Sequence, residues 1–198
     1  MHAIFLLLLA FGCHPEGPPP IYDTVEIEGR DQKPLYRAKV PKEWEIRKAQ
    51  AVADTTKALV EIYVKGDADG SIRITFHNFP VDRKEEEIPP LAQIARWKGQ
   101  FEQLDPISAV TPQAFSGFIG YLFEGSGILN KELKSVMGWA MQLAPEHWQY
   151  IPEEPYKQMR ASFTLKAVGP HDLMQKQKEK IKAFARSFEL IEALPSEL

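Results

Sequence analysis

Few side chains of this 198-residue sequence have the types and spacing that catalysis or metal binding requires. His77, His147 and His171 lie in separate segments, without the short-range partners of a motif such as HExxH. Ser126 stands in Gly-Ser-Gly rather than in a Gly-x-Ser-x-Gly elbow, and no histidine and acid partners are evident for it. We therefore expect no catalytic residue, no bound metal and no cofactor.

Two further segments match ligand loops only in part. If the two aspartates of DADG at 67–70 take the third and fifth positions of a calcium loop, Lys65 and Phe76 fall where that loop needs carboxylates. A hairpin turn is the better interpretation. The glycines at 117–127 lie within and after a predicted strand and lack the Gly-Lys-Ser/Thr ending of a phosphate loop. We interpret them as bulge and turn glycines.

The single cysteine, Cys13, directly follows a short apolar run at 3–12. At about 1.5 Å of rise per residue, this run is too short to cross a hydrocarbon core roughly 30 Å thick. Its length is typical of the apolar region of a secretory signal, and small residues precede the cysteine, where a signal peptidase needs room. One cysteine can form neither an intrachain disulfide nor a thiolate metal site.

The sequence LLLAFGC at 7–13 resembles the lipobox of bacterial lipoproteins. The resemblance implies cleavage before Cys13, which then carries diacylglycerol and usually a further N-acyl chain such as palmitate. Two acyl chains hold a soluble domain on a bilayer, whereas one chain attaches it only reversibly. We expect a membrane anchor at Cys13, in the cell membrane or outer membrane, with the domain in the periplasm. A plain cleaved signal with an incidental thiol, or a buried N-terminal helix, is the alternative.

Composition and proline content set the domain organisation. The chain has room for one packed domain, and its net charge of −3 gives no bulk electrostatic reason to bind nucleic acid. Prolines after Cys13 favour an extended tether. We predict a signal peptide at 1–12, a lipidated cysteine and tether at 13–34, a single domain at 35–190 and a frayed tail at 191–198.

Hydrophobic periodicity predicts the elements that must position any site. Alternating and β-branched patterns predict two extended pieces at 35–48, a hairpin of strands at 58–64 and 71–79, and strands around 116–125, 133–143 and 158–168. Helical spacing predicts one helix at 89–104 and another after 169–172, with lysines facing water and an apolar stripe formed by Met174, Ile181, Phe184, Ala185 and Phe188. We assign Trp44 and Trp97 to the core.

Strands grouped together and separated by helices indicate an α+β fold with a mainly antiparallel sheet. The segments VPKEWEIRK at 40–48, RWKGQ at 96–100 and FTLKAVGP at 163–170, with the closing helix, resemble uncharacterised bacterial lipoproteins of the PsbP-like α/β/α sandwich type. The resemblance covers about residues 35 to 190. It implies an antiparallel sheet of about six strands with helices packed on both faces, and no particular reaction.

The best candidate for a binding surface is the segment PEHWQYIPEEPY at 145–156. Trp148, Tyr150 and Tyr156 make it a candidate partner-binding loop, because large rigid aromatics are enriched at interfaces. The alternative is that the loop folds these rings over the sheet. We expect a non-catalytic accessory, assembly or binding module with an envelope protein as partner. The alternatives are a hydrolase-like envelope enzyme with an unrecognised site and a carrier of a small apolar ligand.

Overall fold

The structure is a computed structural model that describes residues 20–29, 32–48, 57–66, 70–81, 84–150 and 162–191. This part of the chain forms eleven strands, three α-helices and a 3₁₀ turn at Lys84–Glu86. The strands are β1 (Tyr22–Glu28), β2 (Pro34–Pro41), β3 (Glu45–Lys48), β4 (Val60–Lys65), β5 (Ser71–Asn78), β6 (Gln103–Leu104), β7 (Ala109–Phe115), β8 (Phe118–Leu129), β9 (Glu132–Leu143), β10 (Ser162–Pro170) and β11 (Glu189–Leu190). The helices are α1 (Pro90–Lys98), α2 (Pro145–Tyr150) and α3 (His171–Arg186).

The strands form a large sheet and a small one. The large sheet has the order β3-β4-β5-β10-β9-β8, and β8 pairs along its other edge with both β6 and β7. The small sheet has the order β1-β2-β11. The described pairs are all antiparallel, which confirms the α+β class. The expected number of about six strands is too low, because β1, β6, β7 and β11 were not predicted.

Strand β1 lies within the segment predicted as a tether. Its Val25 and Ile27 alternate with glutamates, and Ile27 is buried against the core while the glutamates face water. Such alternation is typical of a strand with one buried face. Strand β1 pairs with β2 from Tyr22 opposite Pro41 to Glu28 opposite Pro34. The described fold therefore includes β1, which lies before the predicted domain boundary at residue 35.

Apolar side chains cover both faces of the large sheet. On one face, α3 and the small sheet enclose the larger core cluster of the described residues, in which Tyr36, Phe76, Phe163 and Phe188 pack ring against ring. On the other face, α1 packs on β8 and β9 around a second cluster: Ile94, Trp97, Phe123, Leu129, Val136 and Ala140. Helices thus lie on both faces, as predicted, and both Trp44 and Trp97 are buried.

Helix α1 ends earlier than its periodicity predicted. Gly99 caps the helix, and Gln100 and Phe101 donate backbone hydrogen bonds to the last turn. Phe101 and Leu104 still pack into the second cluster, but from the connection and from strand β6. The apolar residues at 89–104 therefore pack as their spacing suggested, although the helix itself ends at Lys98.

Helix α3 has the predicted apolar stripe except for Phe188, which is buried beyond the end of the helix at Arg186. The lysines of α3 do not all face water. Lys178 and Lys182 converge on Glu124 of β8, at 2.9 and 3.2 Å between ammonium and carboxylate. Burial raises the pKa of Glu124, but hydrogen bonds from both lysines outweigh burial and leave this pKa below its ordinary value. The prediction of a fully solvated basic stripe was wrong for these two residues, because α3 lies across the sheet.

Candidate functional site

A groove of about 510 Å³ opens on the α1 side of the large sheet, where the sheet extends beyond the helix. We call it the basic groove. Its lining combines three cations with polar and apolar side chains: Arg73, Lys134 and Lys166, with Ser71, Thr75, Gln100, Leu129, Asn130, Val168 and Gly169. Helix α1 has its main contacts with β8 and β9, so it closes the groove from one side only.

Lys166 lies in the floor of the basic groove on β10, between β5 and β9. Its ammonium donates a 2.5 Å hydrogen bond to the amide oxygen of Gln100 and lies 5.8 Å from the centre of the Trp97 ring. Burial beneath these groups lowers the pKa of Lys166 to about 8. The lysine is therefore still a cation at pH 7, but a partly desolvated one.

The other two cations of the basic groove have carboxylate partners. Arg73 donates two hydrogen bonds to Glu61, which also accepts one from the Tyr63 hydroxyl at 2.8 Å. The hydrogen bond from Arg73 holds the pKa of Glu61 below its ordinary value. Lys134 forms a 2.8 Å ion pair with Glu132. Within the described residues, no carboxylate pairs with Lys166.

The surroundings of Lys166 depend on a close approach between α1 and the sheet. The Trp97 ring packs against Gly138 of β9, where an added Cβ would stand only 2.3 Å from a ring carbon. Trp97 is only 3% exposed. Because Gly138 is opposite Lys166 in the ladder, this contact places the indole ring beside the lysine. A glycine in β9 thus allows the indole ring to approach the sheet beside Lys166.

A second cleft, of about 300 Å³, lies near the start of α3 and contains the serine and histidine pair that most resembles a catalytic site. The Ser135 hydroxyl and Nδ1 of His171 are 2.9 Å apart. Ser135 is only 6% exposed, however, and in the described part of the chain no acid bonds to the other ring nitrogen. A nucleophile needs both access and an oriented base, so we interpret the pair as tying α3 to β9.

The predicted lipidation and partner-binding residues lie mostly outside the part of the chain that the structure describes. Cys13 and Tyr156 lie outside the described residues, as do the side chains of Trp148 and Tyr150. The backbone of Pro145–Tyr150 forms α2, so the first half of the predicted loop is a helix. His77 lies on a strand and His171 begins α3, as predicted, whereas His147 lies in α2. Among the described side chains, no three potential metal ligands converge.

Sequence reasoning missed the basic groove because its residues come from four segments. The one available signal was Lys166, a charged side chain within β10, where most other positions are apolar or buried. Lysines are rarely buried without a partner, so a lysine within a mostly buried strand could have indicated a functional site.

The fold is similar to that of solved proteins. Cyanobacterial PsbP (CyanoP) from Synechocystis is 11% identical, with a TM-score of 0.50, and the match covers 91% of this chain and 98% of that one. LpqN of Mycobacterium tuberculosis is 12% identical, with a TM-score of 0.51 over 88% of this chain and 92% of that one. The chain has a PsbP-like fold. These identities establish the fold alone.

No protein-family model matches the sequence, and no curated protein sequence does so either. LpqN is described as involved in cell envelope biogenesis in its own organism. None of the helices in the described part of this PsbP-like chain has the length and apolar character needed to span a membrane.

Proposed function

We propose that the protein is a lipid-anchored accessory module of the bacterial cell envelope that acts by binding at the basic groove. The observation that carries the proposal is the groove itself, about 510 Å³ of accessible space lined by hydrogen-bonding and cationic side chains. Its volume falls in the range of small-molecule sites, roughly 300 to 1,000 Å³. The likeness to LpqN, which is involved in cell envelope biogenesis, supports an envelope role.

The two alternative functions have less support. The Ser135–His171 pair favours a hydrolase only weakly, because the hydroxyl is buried within a strand. A carrier of an apolar ligand needs space between sheet and helix, whereas in the described part of the chain buried side chains pack together between the sheet, α3 and β2. An open polar groove suits a binding module better than either alternative.

The anchor is tested by fractionating the native host and recovering the protein for mass spectrometry. We expect a mature chain that begins at Cys13 and carries diacylglycerol, located in the membrane fraction. The variant Cys13→Ser should carry no diacylglycerol and should keep its leader at 1–12. A mature chain with an unmodified thiol, or a C13S variant that is cleaved before residue 13 as the native chain is, would contradict the proposed anchor.

Binding at the groove is tested by photo-crosslinking in the native host. A photoreactive residue at Ser71 faces the groove, and the same residue at the exposed Lys176 of α3 serves as the matched control on the opposite face. We expect an adduct of one defined mass from position 71 and none from position 176. Absence of an adduct at position 71, or equal adducts at both positions, would refute groove binding.

A further inference from the structure

We propose that the basic groove contains a binding site for a compact organic anion, with its phosphate or carboxylate group held by Lys166 and Arg73. The inference rests on the proposed function, because it names the chemistry of the ligand for the same groove. Three features of the groove support the site: the balance of charges, the register of the strands, and the mixture of polar and apolar surface beside the cations.

Among the described residues, the balance of charges leaves Lys166 without a counter-ion. The carboxylate of Glu61 is engaged by Arg73 and by the Tyr63 hydroxyl, and Glu132 pairs with Lys134 at the rim. Lys166 has only the neutral amide oxygen of Gln100 as its described hydrogen-bond acceptor. A partly desolvated ammonium gains stability from an anion more than a solvated one does, because water screens it less.

The strand register brings a second cation within reach of the same anion. In the β5–β10 ladder, Lys166 is opposite Thr75 and Val168 is opposite Arg73. Lys166 and Arg73 are thus diagonal neighbours, at roughly 7 to 8 Å between their backbones, which two long side chains can bridge through one oxyanion. Arg73 keeps donors for this purpose because its side chain is 55% exposed.

The remaining lining indicates an organic ligand rather than a bare ion. Thr75 and Asn130 supply a hydroxyl and an amide, while Leu129 and Val168 supply apolar surface. A phosphate or carboxylate group at the cations would leave the body of the ligand against this mixed wall. Sites of this kind combine a few placed polar groups with apolar contact, which gives orientation as well as affinity.

The site makes affinity depend on pH. Burial lowers the pKa of Lys166 to about 8, so a bound anion should raise this pKa and affinity should fall above pH 8. Among the described residues, the charged groups that line the groove with Lys166 are Arg73 from β5 and Lys134 from β9, each with its carboxylate partner. On the side of α1, Lys98 lies over the Phe123 ring instead.

The experiment measures the titration of Lys166 in the full chain, held in uncharged detergent and labelled with ¹³C at the lysine ε-carbon. Inorganic phosphate and acetate are the probes. We expect a saturable shift of the Lys166 signal and a pKa about one unit higher at saturation, equivalent to tenfold tighter binding to the charged form. Lys166→Met should weaken binding at least tenfold, Lys166→Arg should retain it, and Lys176→Met should match the native chain. Calorimetric titration with the same probes measures binding by these variants, because two of them have no Lys166 signal.

Two sources of the anionic group are separated by a second arm with membranes. If nanodiscs of phosphatidylglycerol shift the Lys166 signal and nanodiscs of phosphatidylcholine do not, the anion is a lipid headgroup. If only the free probes shift it, the anion is a soluble molecule. Either result supports the site. No saturable shift with any probe, or equal binding by Lys166→Met, overturns it.

The outcomes also separate this inference from the proposed function. A crosslinked ligand at Ser71 without any response of Lys166 to anions would leave groove binding intact and reject the anion site. Anion binding together with an unmodified Cys13 thiol would retain the site and reject the lipid anchor.

Discussion

Replacing Lys166 by methionine should stabilise the ligand-free protein at neutral pH. Methionine keeps the length of the side chain and removes a charge that burial disfavours. The substitution therefore takes away an electrostatic penalty while the remaining groove contacts stay in place. A stabilising change at a groove residue is the pattern expected where function has been favoured over stability.

The size of the effect follows from the pKa of Lys166. A pKa lowered from 10.5 to about 8 sets an upper limit of roughly 3 kcal/mol on the penalty, at about 1.36 kcal/mol per pKa unit. Because the groove is open and water reaches the ammonium, we expect about 1 to 2 kcal/mol. The gain should be fully present below pH 8. It should shrink as the pH rises from about 8 to 10.5, since only the unfolded chain binds the proton in that interval.

Urea unfolding in a phosphate-free buffer measures this difference, at several values of pH from neutral to above 10.5. The exposed Lys176→Met variant is the control, and its free energy of unfolding should stay within about 0.5 kcal/mol of the native value. If Lys166→Met is no more stable than the native chain at neutral pH, or if its advantage does not change with pH, the burial argument for Lys166 is refuted.

Two further substitutions test the packing around the groove and the core. Gly138→Ala should destabilise the fold by about 1 to 3 kcal/mol, because the new methyl group would overlap the Trp97 ring. Gly99→Ala is the control, because its methyl group has room, and it should be neutral or stabilising by up to about 1 kcal/mol. Equal free energies of unfolding for the two variants would contradict this packing. Tyr36→Phe should lower the free energy of unfolding by about 1 to 2 kcal/mol, because it removes the buried hydroxyl that accepts a 2.8 Å hydrogen bond from the Asn78 amide. An unchanged midpoint of thermal unfolding would show that this hydrogen bond adds nothing to stability.

The parts of the fold that could be predicted are those in which one periodicity dominates. Strands β4 and β5 alternate cleanly and form the predicted hairpin, and α3 has the expected apolar stripe. Strand β7 was missed because it contains Pro112, which cannot donate to a ladder and is tolerated at the edge beside β8. Strand β1 was missed because neighbouring prolines suggested a tether, although Val25 and Ile27 alternate with acids.

The basic groove could not be predicted because no single segment contains it. Lys166 becomes unusual only when Trp97 of α1 and Gln100, just after that helix, are brought over it, and Arg73 becomes its neighbour only through the β5–β10 register. The same is true of Glu124, whose two lysine partners come from the opposite layer. Sequence periodicity identifies which side chains are buried, but not which charges burial brings together.

The contact between Trp97 and Gly138 should therefore control the chemistry of the groove as well as stability. If the methyl group of Gly138→Ala displaces the indole ring, water gains access to Lys166 and its pKa should rise from about 8 toward 10.5. The anion would then meet a better-solvated cation, and its affinity at neutral pH should fall although no groove side chain has been changed. An unchanged pKa of Lys166 in a destabilised Gly138→Ala variant would mean that burial of the lysine does not depend on Trp97.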